Sequence, residues 1–135
     1  ALKSDFAAGD VFDWLGRLRK RGEQFDLLVV DPPGFSTTHH TRFSAERDYA
    51  RLISCVAPLL APNALLLAMC NVEQLRREKF EAQVEAALQG VAFSRVAQFG
   101  ASAIDFAQPS RLKCLAVEIV RPLLGMAQSK ALGTR

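Results

Sequence analysis

The sequence predicts an α/β fold in which mostly parallel strands are joined by crossover helices and closed by an antiparallel hairpin. Three observations lead there. Segments of helical and strand periodicity alternate along the chain, and the last two strand-like runs have no helix between them. The first apolar run, Phe25-Asp26-Leu27-Leu28-Val29-Val30, stops at Asp31-Pro32-Pro33. A buried strand that ends in an acid and two prolines makes a rigid polar turn, and open α/β sheets bind ligands at the carboxyl ends of their strands.

Asp10 suits the N-cap of a helix over residues 11 to about 21, with Val11, Trp14, Leu15 and Leu18 on one face. Arg17, Arg19, Lys20 and Arg21 fill its last turns, where cations suit the helix dipole, and Gly22 ends it. Residues 25–30 then read as a strand buried on both faces, because they are almost all apolar. A polar loop over residues 36–42 follows, holding His39 and His40. Ser44 is placed to cap a second helix whose stripe is Tyr49, Leu52, Ile53, Val56 and Leu60, broken near its end by Pro58. Asn63 turns the chain into a strand over residues 64–70. Asn71 and Gln74 have the spacing of a capping box for a third helix to about residue 89, stopped by Gly90. Strands over residues 91–99 and 112–120 complete the pattern, separated by a loop with Asp105, Phe106 and Pro109. The final strand should lie antiparallel beside parallel ones.

At 135 residues, half of them apolar and 23% charged, the chain has the size and composition of one globular domain. Its net charge of +3 permits a nucleic-acid partner without requiring one. Cys55, Cys70 and Cys114 form no close pair of metal-binding spacing. Free thiols in so apolar a chain point to a reducing cytoplasm. The apolar run over residues 64–70 is too short to cross a membrane. Residues 126–135 read as a loose tail.

Several segments together carry a resemblance. They are Gly9-Asp10-Val11-Phe12, the run from Phe25 through Asp31-Pro32-Pro33-Gly34-Phe35, Arg47-Asp48-Tyr49-Ala50-Arg51-Leu52, Leu59-Leu60-Ala61-Pro62-Asn63 and Leu112-Lys113-Cys114-Leu115. In order and spacing they resemble the carboxyl-terminal half of a class I S-adenosylmethionine-dependent methyltransferase. The nearest type is the large-subunit ribosomal RNA methyltransferase family, in particular its cytosine-5 members. The resemblance implies a Rossmann-like methyltransferase sheet over residues 1–122, with residues 123–135 as a tail. It implies S-adenosylmethionine as cofactor and RNA as substrate.

Carried over residue by residue, the resemblance gives Asp10 the adenine amino group of the cofactor, with Val11 and Phe12 as apolar neighbours. Asp31, Pro32, Pro33 and Phe35 would wall the target base, Phe35 by stacking. Cys70 stands where cytosine-5 members carry their nucleophile and is expected to share a pocket with Asp31. Met69 and Asn71 flank it, where those members have small polar residues. Cys70 as a buried structural thiol, and transfer to an amino or ring nitrogen, therefore stay open as alternatives. His39-His40 as a metal pair and the 17–21 cations as an RNA contact compete with a solvated loop and a solvated helix end.

The family's glycine-rich loop and ribose-binding acid have no counterpart here, because the match begins at the third strand, with residues 3–8 as its remnant. The expectation is a fragment that is inactive and does not bind the methyl donor alone. A non-catalytic remnant is the competing reading. Lacking its usual neighbour, the strand over residues 25–30 should be a bare apolar edge through which copies associate.

Overall fold

The computed structural model describes residues 4–100 and 111–121. The expected loop residues Asp105, Phe106 and Pro109, and the tail, lie outside these. Residues 4–10 form no strand, so the described part of the expected third-strand remnant is extended coil.

Helix α1 spans Val11–Lys20, and the Asp10 carboxylate caps it by accepting from the Phe12 amide at 2.8 Å. Strand β1 (Phe25–Val30) follows after Gly22, whose φ of +69° lets the chain leave the helix. The expected polar loop is instead a small hairpin, β2 (Phe35–Thr37) against β3 (Arg42–Ser44). The Thr38 amide donates to the Thr41 carbonyl at 2.8 Å, leaving His39 and His40 as the two-residue tip.

Helix α2 (Ala45–Val56) begins at Ser44, but the serine hydroxyl makes no cap bond. The Ser44 amide donates to the Asp48 carboxylate at 2.8 Å, and the Ala45 amide to the Gly34 carbonyl at 2.9 Å. The helix start is thus stitched to the Pro-Pro turn by backbone. A 3₁₀ turn, Ala57–Leu59, leads into β4 (Leu60–Cys70), which starts earlier than expected and carries Asn63 at a φ of +64°. The predicted capping box does not form. Helix α3 runs only from Arg77 to Ala87 without a side-chain cap, because residues 71–76 fold back as a loop whose Leu75 is buried.

Strands β5 (Ala92–Phe99) and β6 (Lys113–Arg121) pair antiparallel, and β6 inserts between β4 and β5. The sheet order is β1-β4-β6-β5, with β1 parallel to β4 and β6 antiparallel to both its neighbours. The sequence predicts this arrangement.

The core lies on one face of that sheet. Leu66, Ala68 and Cys70 alternate inward along β4, paired in register with Val117, Leu115 and Lys113. Tyr49, Ile53 and Val56 of α2 and Phe80 and Val84 of α3 join them in one cluster. At its centre the Tyr49 hydroxyl lies 2.7 Å from the Met69 carbonyl and 3.2 Å from the Val30 carbonyl, sharing its proton between the ends of β4 and β1. Its ring meets Phe80 edge-on at 5.0 Å. Burial pushes the phenol far above its ordinary pKa, so it stays a donor.

Strand β1 is not buried on both faces. It lies at the sheet edge, where Leu27 and Val29 are 55% and 56% exposed on the face away from the helices. Lys113 is buried at the end of β6, where its ammonium donates at 2.8 Å to the carbonyls of Val72 and Arg111. Glu81 is buried between Arg77 and Arg95 at 3.3 and 2.9 Å, tying α3 to β5.

Tyr49→Phe keeps the ring and strands the two carbonyls. We expect a loss of about 1–3 kcal/mol in urea unfolding with unchanged circular dichroism. A loss too small to resolve would mean that the hydroxyl does not join the strands.

Candidate functional site

The carboxyl edge of β1, the start of α1 and the β2–β3 hairpin enclose a cleft of about 240 Å³. Gly9, Asp10, Val11 and Phe12 form one wall, Pro32 and Pro33 the floor, and Ser36, Thr38, Thr41 and Phe43 the other wall. The volume is below the ~300–1,000 Å³ of sites that enclose a drug-sized ligand. It suits one planar ring. Phe12 and Phe43 face each other across it, centroids 6.3 Å apart and tilted. The Arg51 guanidinium lies 4.3 Å from the Phe12 ring centroid and steadies it from outside the cleft.

Asp10 supplies the charge. One carboxylate oxygen accepts from the Phe12 amide, and the other from the Thr38 hydroxyl, also at 2.8 Å. The Thr38 hydrogen bond is the largest of the effects that hold this carboxyl below its ordinary pKa, with the Phe12 amide and the Thr41 hydroxyl adding to it. A lowered folded-state pKa means that the bond stabilises the fold above the ordinary carboxylate pKa and is lost as the pH falls through the lowered value. A carboxylate offers only acceptors, with lone pairs to spare beyond these two bonds. The arrangement can accept a hydrogen bond from a donor group placed in the cleft.

The Pro-Pro turn is held from behind. A Cβ on Gly34 would come within 2.9 Å of a Val72 methyl, so the turn and the 71–76 loop are in direct contact. The Gly34 carbonyl is spent on the start of α2. The turn is open to solvent as expected: Asp31 and Pro33 are exposed and Pro32 half-buried.

The structure divides the expected site residues. Asp10, Val11, Phe12, Pro32 and Pro33 share the cleft. Asp31, Phe35 and Cys70 do not line it. Phe35 is 63% exposed, and Cys70 is 0% exposed within the core beneath the helices. Asp31 and Cys70 both act electrostatically on the Tyr49 hydroxyl, which they raise further. Cys114 is also buried, and burial pushes its thiol up.

Thr38 and Thr41 were missed by the sequence reading. The available signal was the β-forming text on either side of His39-His40, which fits a two-residue hairpin. Among the described residues no group of His, Cys, Asp and Glu is placed to hold a metal, so the two histidines are a hairpin tip. No helix among the described residues is long and apolar enough to cross a membrane. The cations at the end of α1 make no ion pair among the described residues, and Arg17 lies 5.2 Å from the Trp14 ring centroid.

No family model matches the chain. It is 31% identical over 85 residues to YwbD of Bacillus subtilis, whose name assigns it provisionally to the large-subunit ribosomal RNA methyltransferases. That match covers 63% of this chain and 22% of the relative. It is 38% identical over 66 residues to ribosomal RNA large subunit methyltransferase I of Yersinia pseudotuberculosis, covering 49% of this chain and 17% of the relative. Among solved structures it is similar to SMU.776, a provisionally assigned methyltransferase complexed with SAH. That likeness has a TM-score of 0.74 and 25% identity, over 82% of this chain and 30% of the other. The chain thus spans under a third of the length of each of these three proteins. Its fold is the one the sequence predicts, a portion of a Rossmann-like methyltransferase sheet.

Gly34→Ala should destabilise by about 1–3 kcal/mol through overpacking against Val72. Combined with Val72→Ala, the loss from the glycine substitution should largely disappear. Additive losses in urea unfolding would show that the turn and the 71–76 loop are not in register as described.

Proposed function

We propose that this chain is the carboxyl-terminal part of the catalytic domain of an S-adenosylmethionine-dependent methyltransferase acting on large-subunit ribosomal RNA. The observation that carries the proposal is the cleft itself. Asp10, at the entry of a helix, and Pro32-Pro33, at the end of β1, come together around space for one ring. The named relatives and the SAH-bound neighbour support the same reading. Asp10 accepts the amino group of the cofactor's adenine, and Val11, Phe12 and Phe43 hold the ring by apolar contact. On this reading the chain supplies the adenine end of the cofactor site and is inactive by itself.

The target base would approach the open rim at Asp31, whose carboxylate and neighbouring carbonyls accept from a base amino group, with Phe35 exposed for stacking. The cations in the last turns of α1 offer contacts to RNA phosphates. A cytoplasmic setting, with free thiols and ribosomal RNA, goes with this function.

Chemistry at cytosine carbon five would require Cys70 as nucleophile, with its thiolate at the base. The complete burial of Cys70 favours a second reading, transfer to an amino or ring nitrogen without cysteine chemistry. In a form of the protein that transfers methyl groups, Cys70→Ala should then leave turnover intact. Abolished turnover with an unchanged fold would restore the cytosine-5 reading.

Adenosine and inosine differ at the group that Asp10 would read, an amino against a carbonyl. Titrated into the chain and followed by NMR, adenosine should bind in the millimolar range and inosine at least about fivefold more weakly, the value of roughly one lost hydrogen bond. Equal binding would remove Asp10 from recognition. The methyl donor should show no micromolar binding to this chain by calorimetry.

The bare β1 edge leads to a further expectation for the chain alone. Its outer backbone, which pairs with no strand among the described residues, and exposed Leu27 and Val29 are a template for a second copy. Sedimentation should show concentration-dependent self-association that Val29→Lys weakens. A monomer at high concentration would contradict this.

A further inference from the structure

We propose that Thr38 is a positioning residue for the cleft: its hydroxyl latches the β2–β3 hairpin to Asp10 and so sets both the outer wall and the orientation of the carboxylate. The inference rests on the reading of the cleft as a ring-binding site and adds a residue to it.

The geometry of Thr38 leaves its proton one good destination. Its hydroxyl oxygen accepts from the Thr41 amide at 3.0 Å and the His40 amide at 3.4 Å, both across the hairpin tip. Those two bonds turn the lone pairs toward the turn and the proton away from it. Two acceptors are within reach, the Asp10 carboxylate at 2.8 Å and the Thr41 carbonyl at 3.4 Å. The charged and closer one takes it. The side chain is therefore fixed by its own turn before any ligand arrives.

The latch matters because of what it spans. Residues 10 and 38 are 28 apart in sequence, and they join the two walls that face each other across the cleft. The same walls are also joined by the Thr41 hydroxyl at Asp10, more weakly than by Thr38, and by the tilted Phe12–Phe43 pair, whose rings are not in close stacking. Without the Thr38 bond the three-residue strands of the hairpin are held to the rest of the fold at their base, by the Gly34–Ala45 backbone bond and by Phe43, which is buried in the core. A two-stranded hairpin of that length is not stable unaided. Releasing it would widen the cleft and free the Asp10 carboxylate to rotate about its N-cap bond. A ring that needs both an apolar slot and a fixed acceptor would then bind less well.

Thr38 also holds the Asp10 carboxyl below its ordinary pKa, as the largest of the effects on it. Thr41 contributes in the same direction, more weakly.

The test uses the chain with Thr38→Val, which keeps the shape and removes the hydroxyl, and Thr38→Ser, which keeps the hydroxyl. Thr38 is exposed, so neither variant should prevent folding. Adenosine is the probe, followed by NMR. The same spectra give the Asp10 titration and the exchange rates of the hairpin amides. We expect the valine variant to bind adenosine about fivefold more weakly. Its Asp10 pKa should rise and its hairpin amides should exchange faster, while the serine variant stays near wild type in all three. Equal or tighter adenosine binding by the valine variant would overturn the proposal. Should wild type not bind adenosine at all, the adenine reading of the cleft fails. The latch is then judged on titration and exchange alone, where a valine variant indistinguishable from wild type would overturn it.

Discussion

The hydroxyl of Tyr49 is the interaction on which the arrangement of the site depends. It sits where β1 and β4 end and bonds the carbonyl of Val30, the last residue of β1, and that of Met69, one residue before the end of β4. These two strands are parallel neighbours, so fixing their ends against one helix side chain fixes the level at which the chain leaves the sheet. Asp31-Pro32-Pro33 follows directly on one strand, and the 71–76 loop follows on the other. Their contact at Gly34 and Val72 is the consequence. The cleft floor is a by-product of strand register held by a buried phenol.

From that floor the site is built outward by progressively weaker means. The Gly34 carbonyl binds the start of α2 through backbone alone. The hairpin then rises from this junction, and its tip returns to the helix α1 entry through one side-chain bond between Thr38 and Asp10. The core side of the fold contains closely paired charges, with Glu81 held by two arginines and Lys113 by two carbonyls. The cleft side has small hydroxyls and a single carboxylate. A rigid base with an adjustable outer wall is what a site needs if a planar ring is to enter it.

Much of this was legible in the sequence, and the parts that were not have physical reasons. Asp10 as a cap, the Pro-Pro turn and the antiparallel last strand follow from local chemistry that tertiary contacts do not override. The helix pattern at Asn71 and Gln74 was misleading, because Leu75 and Val72 are drawn into the core and against Gly34, which unwinds the first turns. The apolar text of β1 was read as doubly buried, yet burial on the second face depends on a neighbour that the described residues do not provide. The β2–β3 hairpin was hidden by its brevity: three residues a side are too few for a periodic signal. Cys70 shows the limit of position-by-position transfer. Its place in the sequence suggests chemistry, while its inward side of β4 gives it to the core.

The central claim is that the cleft between Asp10 and the hairpin receives the adenine end of the methyl donor. Backbone shift mapping of the labelled chain with S-adenosylhomocysteine tests it most directly. The account predicts perturbations concentrated at Gly9, Asp10, Val11, Phe12, Thr38, Thr41 and Phe43. Perturbations centred instead on Asp31, Asn71 and Cys70, with the cleft silent, would contradict it.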